Sequence, residues 1–258
     1  MLTWVARFDH WWIPSDSEET AAQIAEILCR PCFRDCTRVN WGRRERWSGY
    51  EKKTPALIRD YIFDKQNDLV RLDSGRKGEL NAGVNIDTGV IRIGGIAPTS
   101  RVAVPCPSDT ADLEKAACDL ALALRTALGA VTVWPNYNWA EKFAYGSSLT
   151  PEQAREMGLS ELRHKEWRLQ GRDQVQVDTE ISGPEWGLFL GPGHLQKLPI
   201  AALRASGAFA EVRELGDNRA FLRLTDDPRD ALAPDFEARL DRARVALAPI
   251  LADLSRLD

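Results

Sequence analysis

Three cysteines fall within the stretch "CRPCFRDC" as Cys29, Cys32 and Cys36. A Cys-x-x-Cys pair carries thiol redox chemistry or ligates zinc, and three thiolates need one further ligand to close a zinc site. No second Cys-x-x-Cys and no His-x(3–5)-His pair supplies it. The three histidines (His10, His164, His194) stand far apart in the chain, and His10 is the one that could approach in space. As a redox motif the cluster lacks a strand running directly into it. Two readings therefore stand: a small cytoplasmic metal-binding or thiol-dependent enzyme using Cys29, Cys32, Cys36 and His10, or three ordinary thiols at a helix end. Cys106 and Cys118 read as single small hydrophobes.

The stretch "WGLFLGPGHL" places glycines at 187, 191 and 193 ahead of His194. Their spacing does not match the dinucleotide fingerprint, and no Gly-Lys-Ser/Thr follows to make a phosphate loop. His194 has no serine or cysteine at a recognisable nucleophile elbow. The stretch reads as a strand, a tight glycine turn and a helix start, a structural corner and not an active site. No set of residues in the chain combines nucleophile, base and stabiliser at readable spacing, so no catalytic residue is assigned.

Two groups of acids and several loop aromatics remain. Asp16, Glu18 and Glu19 precede an apolar helical stretch, where a helix N-terminus favours negative charge. Asp226, Asp227 and Asp230 fall between a strand and the last helix. Of nine tryptophans, Trp4, Trp134 and Trp186 lie in strands and are assigned to the core. "HWW" (Trp11, Trp12), "NWGRRERW" (Trp41 to Trp47) and "NYNWAEKFAY" (with Trp139) fall in loops. Loop Trp, Tyr and Arg are the residue types that anchor protein–protein interfaces. The candidate partner-binding set is accordingly Trp11, Trp12, Asp16, Glu18, Glu19, Trp139, Asp226, Asp227 and Asp230.

Composition narrows the class. The chain has 258 residues, 44% of them hydrophobic and 28% charged, in the range of an ordinary soluble protein. A net charge of −4 argues against a nucleic-acid binder, which would show a basic patch, and leaves room for a basic protein partner. No apolar run reaches the roughly 18 residues needed to span a bilayer. No basic segment followed by an apolar one opens the chain, so a cytoplasmic location and five free thiols are expected. No metal or cofactor is expected on the first reading.

The elements that must position these residues follow a repeated order. "LTWVARF" reads as a strand and "TAAQIAEILCR" as a helix closed by Pro31. From Phe33 to Glu79 the chain is polar, with only "TPALIRDYIF" helical. "ELNAGVNID" and "VIRIGGI" read as a hairpin turning at Thr88-Gly89. Leu113, Ala117, Leu120, Leu124 and Leu128 give one helical stripe that Gly129 should cap. After the strand "VTVW" and a short "TPEQAREMG" helix, the pattern returns. It runs as the strand "WGLFL", a helix 193–207 with a proline near its middle, the hairpin "FAEVREL-GDN-RAFLRLT", and a long helix over 233–254. Phe236, Leu240, Leu247, Leu251 and Leu254 share one face of that last helix. The expected fold is α+β, an antiparallel or mixed sheet with helices packed on one face, built from two similar βαββα halves. One domain is expected over 1–258, with pseudo-repeat halves at approximately 1–130 and 175–258 joined by 131–174.

The C-terminal third, "GPEWGLFLGPGHLQKL" with "FAEVRELGDNRAFLRLTDDPRDAL" and the closing helix, resembles the immunity protein 52 family of bacterial polymorphic toxin systems, with a type VI secretion immunity family as neighbour. Trp186-Gly187 and Gly191-Pro192-Gly193-His194 carry the likeness. It is looser over the N-terminal half, where Cys29, Cys32 and Cys36 are peculiar to this chain. The resemblance implies an α+β protein without catalytic activity or cofactor. It would neutralise, in the cytoplasm, a toxin encoded by a neighbouring gene. That toxin would be a metal-dependent nuclease of restriction-endonuclease-like fold. The candidate partner-binding set above is then the expected toxin-binding set.

Overall fold

A computed structural model describes residues 2–11, 13–43, 46–64, 67, 69–74, 82–88, 99–136, 150–171 and 175–257. The first half runs β1 (Thr3–Asp9), α1 (Glu18–Leu28), β2 (Arg38–Arg43), β3 (Arg46–Lys52), α2 (Pro55–Phe63), β4 (Leu69–Asp73), β5 (Gly83–Asp87), β6 (Thr99–Pro105) and α3 (Ala111–Ala123). A central strand β7 (Leu128–Trp134) and two helices, α4 (Pro151–Glu156) and α5 (Glu161–Gly171), follow. The second half runs β8 (Gly187–Leu190), α6 (Pro192–Lys197), α7 (Ile200–Ala205), β9 (Glu211–Gly216), β10 (Arg219–Arg223) and α8 (Phe236–Leu247). Without β2, β3, α2 and β4, which are inserted, the first half is the same βαββα series as the second.

Strands of both halves stand in one ten-stranded sheet of order β3-β2-β4-β5-β6-β1-β7-β8-β10-β9, antiparallel throughout. The order is symmetric about β7: β5-β6-β1 flank it on one side and β9-β10-β8 on the other. The fold class is therefore α+β. No helix among the described residues is long and apolar enough to cross a membrane.

The two faces of the sheet are covered by different parts of the chain. On one face α1 packs between α2 and α3. There Tyr61 of α2 stacks on Trp41 of β2, and Glu114 of α3 meets Arg213 of β9 and Arg223 of β10. On the other face Trp167 of α5 meets Trp134 edge-on, and Arg244 of α8 pairs with Glu166 of α5. Covered on both faces, β1, β7 and β8 are buried along their whole length.

On that second face one row of residues crosses nine strands in register: Asn40, Arg71, Asn85, Arg101, Arg7, Ala130, Leu188, Leu222 and Val212. It is polar from β2 to β1 and apolar from β7 to β9. The neighbouring strand positions on the polar side, among them Val39, Leu72, Val84 and Val102, point to the opposite face and are buried. The polar face is not an open one, since Asn40, Asp73, Arg7 and Asp9 on it are buried as well.

Several local expectations are corrected. The polar stretch from Phe33 to Glu79 holds three strands, β2, β3 and β4, besides the expected helix; in β2 and β4 polar residues such as Asn40 and Arg71 stand between the apolar Val39, Trp41, Val70 and Leu72, so mean polarity hides a period of two. β5 pairs with β6 at 99–105; the expected partner strand "VIRIGGI" lies outside the described residues. The α3 stripe ends earlier than expected, at Leu124, because Arg125 turns to φ 48°. Leu128 and Gly129 belong to β7. Gly129 is required there because a Cβ would lie 2.8 Å from the Arg7 carbonyl oxygen and 2.9 Å from the Phe189 ring. Pro199 divides the expected 193–207 helix into α6 and α7, and Pro249 ends α8 at Leu247.

Candidate functional site

Register decides where the expected partner-binding residues stand. Asp9 aligns with Leu128, and Leu128 with Leu190; Thr3 at the other end of β1 aligns with Trp134. Trp11, Asp16, Glu18 and Glu19 follow the Asp9 end. Asp226, Asp227 and Asp230 follow Arg223, at the Thr3 end. Strands of this length put the two acid groups at opposite ends of the sheet, about 20 Å apart at ~3.4 Å per residue. They do not form one patch.

The individual environments differ as well. Glu18 and Glu19 are exposed in the first turn of α1, behind Ser17, whose side chain accepts from Thr20 N–H at 3.2 Å. Trp11 Nε1 donates to Asp178 at 2.8 Å, which ties this indole to the second half. Asp226 is 90% exposed beside Arg223. Asp227 is held by Arg229 at 2.7 Å, and Arg229 also donates to the carbonyls of Pro107 and Ser108. Asp227 is thus the anchor of a loop clamp, and Asp230 is half-buried beside it. Trp12 and Trp139 lie outside the described residues. "NWGRRERW", expected as a loop, is largely the β2–β3 hairpin, with Arg44 and Glu45 outside the described residues.

The thiols of the cysteine cluster are all held above their ordinary pKa. Burial raises the thiols of Cys29 and Cys32 above their usual value and pushes Cys36 up to about 12. A reactive thiolate needs the opposite shift. His10 does not approach the cluster: it follows the Asp9 end of β1, where its Nε2 meets Ser100 Oγ at 3.0 Å. The cysteines end α1 and lead into β2, whose first residue Arg38 aligns with Asp73 and Lys52 at the other end of the sheet. Among the described residues no group of three His, Cys, Asp or Glu side chains is placed to hold a metal ion.

One nucleophile–base contact exists that the sequence did not reveal. Ser100 Oγ accepts from the Asp87 N–H at 3.1 Å and is hydrogen-bonded to His10 Nε2 at 3.0 Å. His10 and Ser100 are both fully buried, so a substrate has no route to the pair. It fixes the β1–β6 end of the sheet.

The corner at Gly191–His194 is equally closed. His194 is fully buried and its Nε2 donates to the Glu180 carbonyl at 3.1 Å. Burial lowers its pKa below the usual imidazole value, with Asp178 favouring and Lys197 opposing the charged form. The folded state therefore stays neutral at a pH where the unfolded chain takes up a proton. Stability is expected to fall as pH drops below about 6.5, by at most ~1.4 kcal/mol per pH unit, until the folded pKa is reached. Urea midpoints between pH 7.5 and 5 for the wild type and His194→Gln check this: the slope difference should vanish above neutrality and grow below it. Parallel curves would refute it.

The polar row carries charged groups close together in the sheet. Arg7 pairs with Asp9 at 3.0 Å, and Asp9 also accepts from Thr99 at 2.7 Å. Asp73 is held by Asn40 at 2.8 Å. Arg71 is half-buried, and its Nε is buried without a hydrogen-bond partner among the described residues. Arg101 stands directly opposite Arg7. Like charges in that relation repel, and Asp9 offsets the repulsion on the Arg7 side.

No family model and no curated protein sequence matches the chain. Among solved structures it is similar to the Pseudomonas aeruginosa T6SS protein PA0821, at 16% identity and a TM-score of 0.58, over 97% of this chain and 73% of that one. The two share a fold.

Proposed function

We propose that the chain is an immunity protein of a type VI secretion setting, which binds a cognate toxin stoichiometrically and performs no catalysis. The observation that carries this reading is the likeness to a T6SS protein over almost the whole chain. The resemblance of residues 183–254 to the immunity protein 52 family supports the finer part: a cytoplasmic inhibitor of a nuclease toxin of restriction-endonuclease-like fold, encoded by the neighbouring gene. Sealed histidines and raised thiols fit a binding protein better than the rival thiol or metal enzyme.

Co-expression with the neighbouring gene tests it. A neighbour that kills alone, and is silenced in a complex that co-purifies, is the expected result; a harmless neighbour with no complex would sink the reading. Within such a complex, Trp11→Ala and Asp226→Lys are expected to weaken affinity by roughly tenfold or more, as truncated anchors and reversed steering charges do. Asp226→Lys should leave the unfolding temperature unchanged, whereas Asp227→Lys should lower it by releasing the Arg229 clamp. Calorimetric titration and thermal melts of the same variants separate the two effects. Unaltered affinity throughout would remove this site and leave the function standing.

A further inference from the structure

We propose that the groove between α5 and the C-terminal turn is a docking site for an acidic, apolar segment of a partner protein. Leucine- or phenylalanine-sized side chains of that segment sit on Leu162, Leu254 and Leu257, and Arg168 holds an adjacent carboxylate. The proposal rests on the reading of the chain as a partner-binding protein and adds the surface and the chemistry of the segment it takes.

The outer stripe of α5 makes one wall. Glu161, Leu162, Lys165 and Arg168 recur there at helical spacing, while Arg163, Glu166 and Trp167 take the other side and are buried. The facing wall is a single 3-10 turn, Leu254–Leu257. Between them lies a groove of about 610 Å³, open on one side and within the ~300–1,000 Å³ range of ligand sites. Both walls are fixed from within the chain. α5 is held by Arg163–Glu185 at 2.9 Å and by Arg244–Glu166 at 2.8 Å. The turn is held by Arg256, whose two Nη atoms donate to Glu180 at 2.6 and 2.8 Å. Just before it, Ile181 exchanges backbone hydrogen bonds with Ile250 and Ala252. Binding to a preformed groove loses less free energy to ordering. Trp11 reaches the same 178–180 stretch through Asp178, which links the groove to one of the expected partner-binding residues.

Charge and apolar surface together select the occupant. Leu162, Leu254 and Leu257 are half-buried and leave apolar area to cover. Lys165 is 47% exposed and pairs with an 83% exposed Glu161 at 2.9 Å; a pair so exposed contributes little and exchanges readily for an incoming carboxylate. Arg168 is half-buried in the groove and forms no ion pair among the described residues. A planar guanidinium beside apolar carbons favours a carboxylate, bound through two parallel hydrogen bonds. A nucleic acid offers phosphates but no aliphatic groups for the leucines, and the chain's net charge of −4 repels a polyanion at longer range. A lysine-bearing segment would meet two cations.

Fluorescence anisotropy with the labelled peptide GSELFESG tests this at low ionic strength, with GSKLFKSG as its charge-reversed control. The wild-type chain is expected to bind the first, more weakly as salt rises, and not the second. Arg168→Glu and, separately, Leu162→Asp should each weaken binding at least roughly tenfold while the melt stays cooperative. If one of the two fails to fold, the other decides. Lys115→Glu makes the same charge change as Arg168→Glu at an exposed site on α3, across the sheet, and should leave binding unaltered. No binding by the wild type, unaltered binding by a folded groove variant, or an equal loss in Lys115→Glu overturns the proposal. In the co-expression experiment, a toxin captured by the wild type and lost by the groove variants supports it, and a toxin captured equally by all overturns it. A wild type that captures no toxin counts against the immunity reading alone, because the peptide experiment still decides the groove.

Discussion

Gly183→Ala is expected to cost the chain about 3–5 kcal/mol, the range for breaking a buried ion pair by displacing one partner. The reason lies in what a methyl group would meet. A Cβ at 183 would lie 2.5 and 2.6 Å from the two carboxylate oxygens of Glu166, well inside contact distance. That carboxylate cannot move freely. It accepts from Arg244 Nε at 2.8 Å and Nη2 at 2.9 Å, and the side chains are only 6% and 10% exposed. Burial already raises the Glu166 pKa against the pull of Arg244, so the ion is tolerated only while the bidentate pair holds. Losing it would leave Arg244 only its Nη1 contacts to Glu237 and Asp241 on its own helix, and would remove the ion pair that ties α8 to α5. For a chain of this size the unfolding temperature should fall by roughly 10 °C, at about 2–4 °C per kcal/mol. Arg244→Met with Glu166→Leu is the informative companion. Replacing both charges by apolar groups should cost far less than Gly183→Ala, because no charge is stranded. A Gly183→Ala variant with an unchanged melt would show that the pair does not hold this side of the sheet.

The elements that were legible in the sequence are those whose burial is one-sided and local. α1, α8 and the β9–β10 hairpin announce themselves through stripes, caps and the Gly216-Asp217-Asn218 turn, where all three residues have positive φ. β2 and β4 were hidden because Arg38, Asn40 and Arg71 occupy the face opposite the buried Val39, Val70 and Leu72, so their strands read as polar chain. The row Asn40-Arg71-Asn85-Arg101-Arg7 could not be assembled in advance, because it depends on the order and register of five strands whose row residues are separated by up to 94 positions. The same holds for the acids. Asp16 to Glu19 and Asp226 to Asp230 look like one negative surface until register places them at opposite ends of the sheet. His10 was paired with the cysteines on chemistry alone; strand direction separates them and gives it Ser100 instead.

The glycines of the 191–194 corner are the remaining point at which a chemical reading and a structural one diverge, and substitution separates them. Gly191 lies against the N-terminal end of β7: its N–H donates to the Ala127 carbonyl at 2.9 Å, and a Cβ there would come within 2.6 Å of the same oxygen. A Cβ at Gly193 would overlap the Asp178 carbonyl oxygen. Both obstacles are backbone, which cannot step aside as a flexible side chain can. Gly191→Ala and Gly193→Ala are each expected to cost about 3 kcal/mol, the upper part of the range for overpacking a close contact. Gly158 and Gly207 provide the control. Both have positive φ, 71° and 64°, with open space where a Cβ would sit. Alanine there should cost only the left-handed backbone, ~1–2 kcal/mol. Urea midpoints for the four variants order them if close approach is what these glycines serve. A phosphate-cradling loop would behave differently: its glycine variants would keep their midpoints and lose an anion-dependent gain in stability. Because His194 is neutral, buried and spent on the Glu180 carbonyl, and Gly191 N–H on Ala127, the donors such a loop would aim at a phosphate are already used to join the second half of the chain to the first.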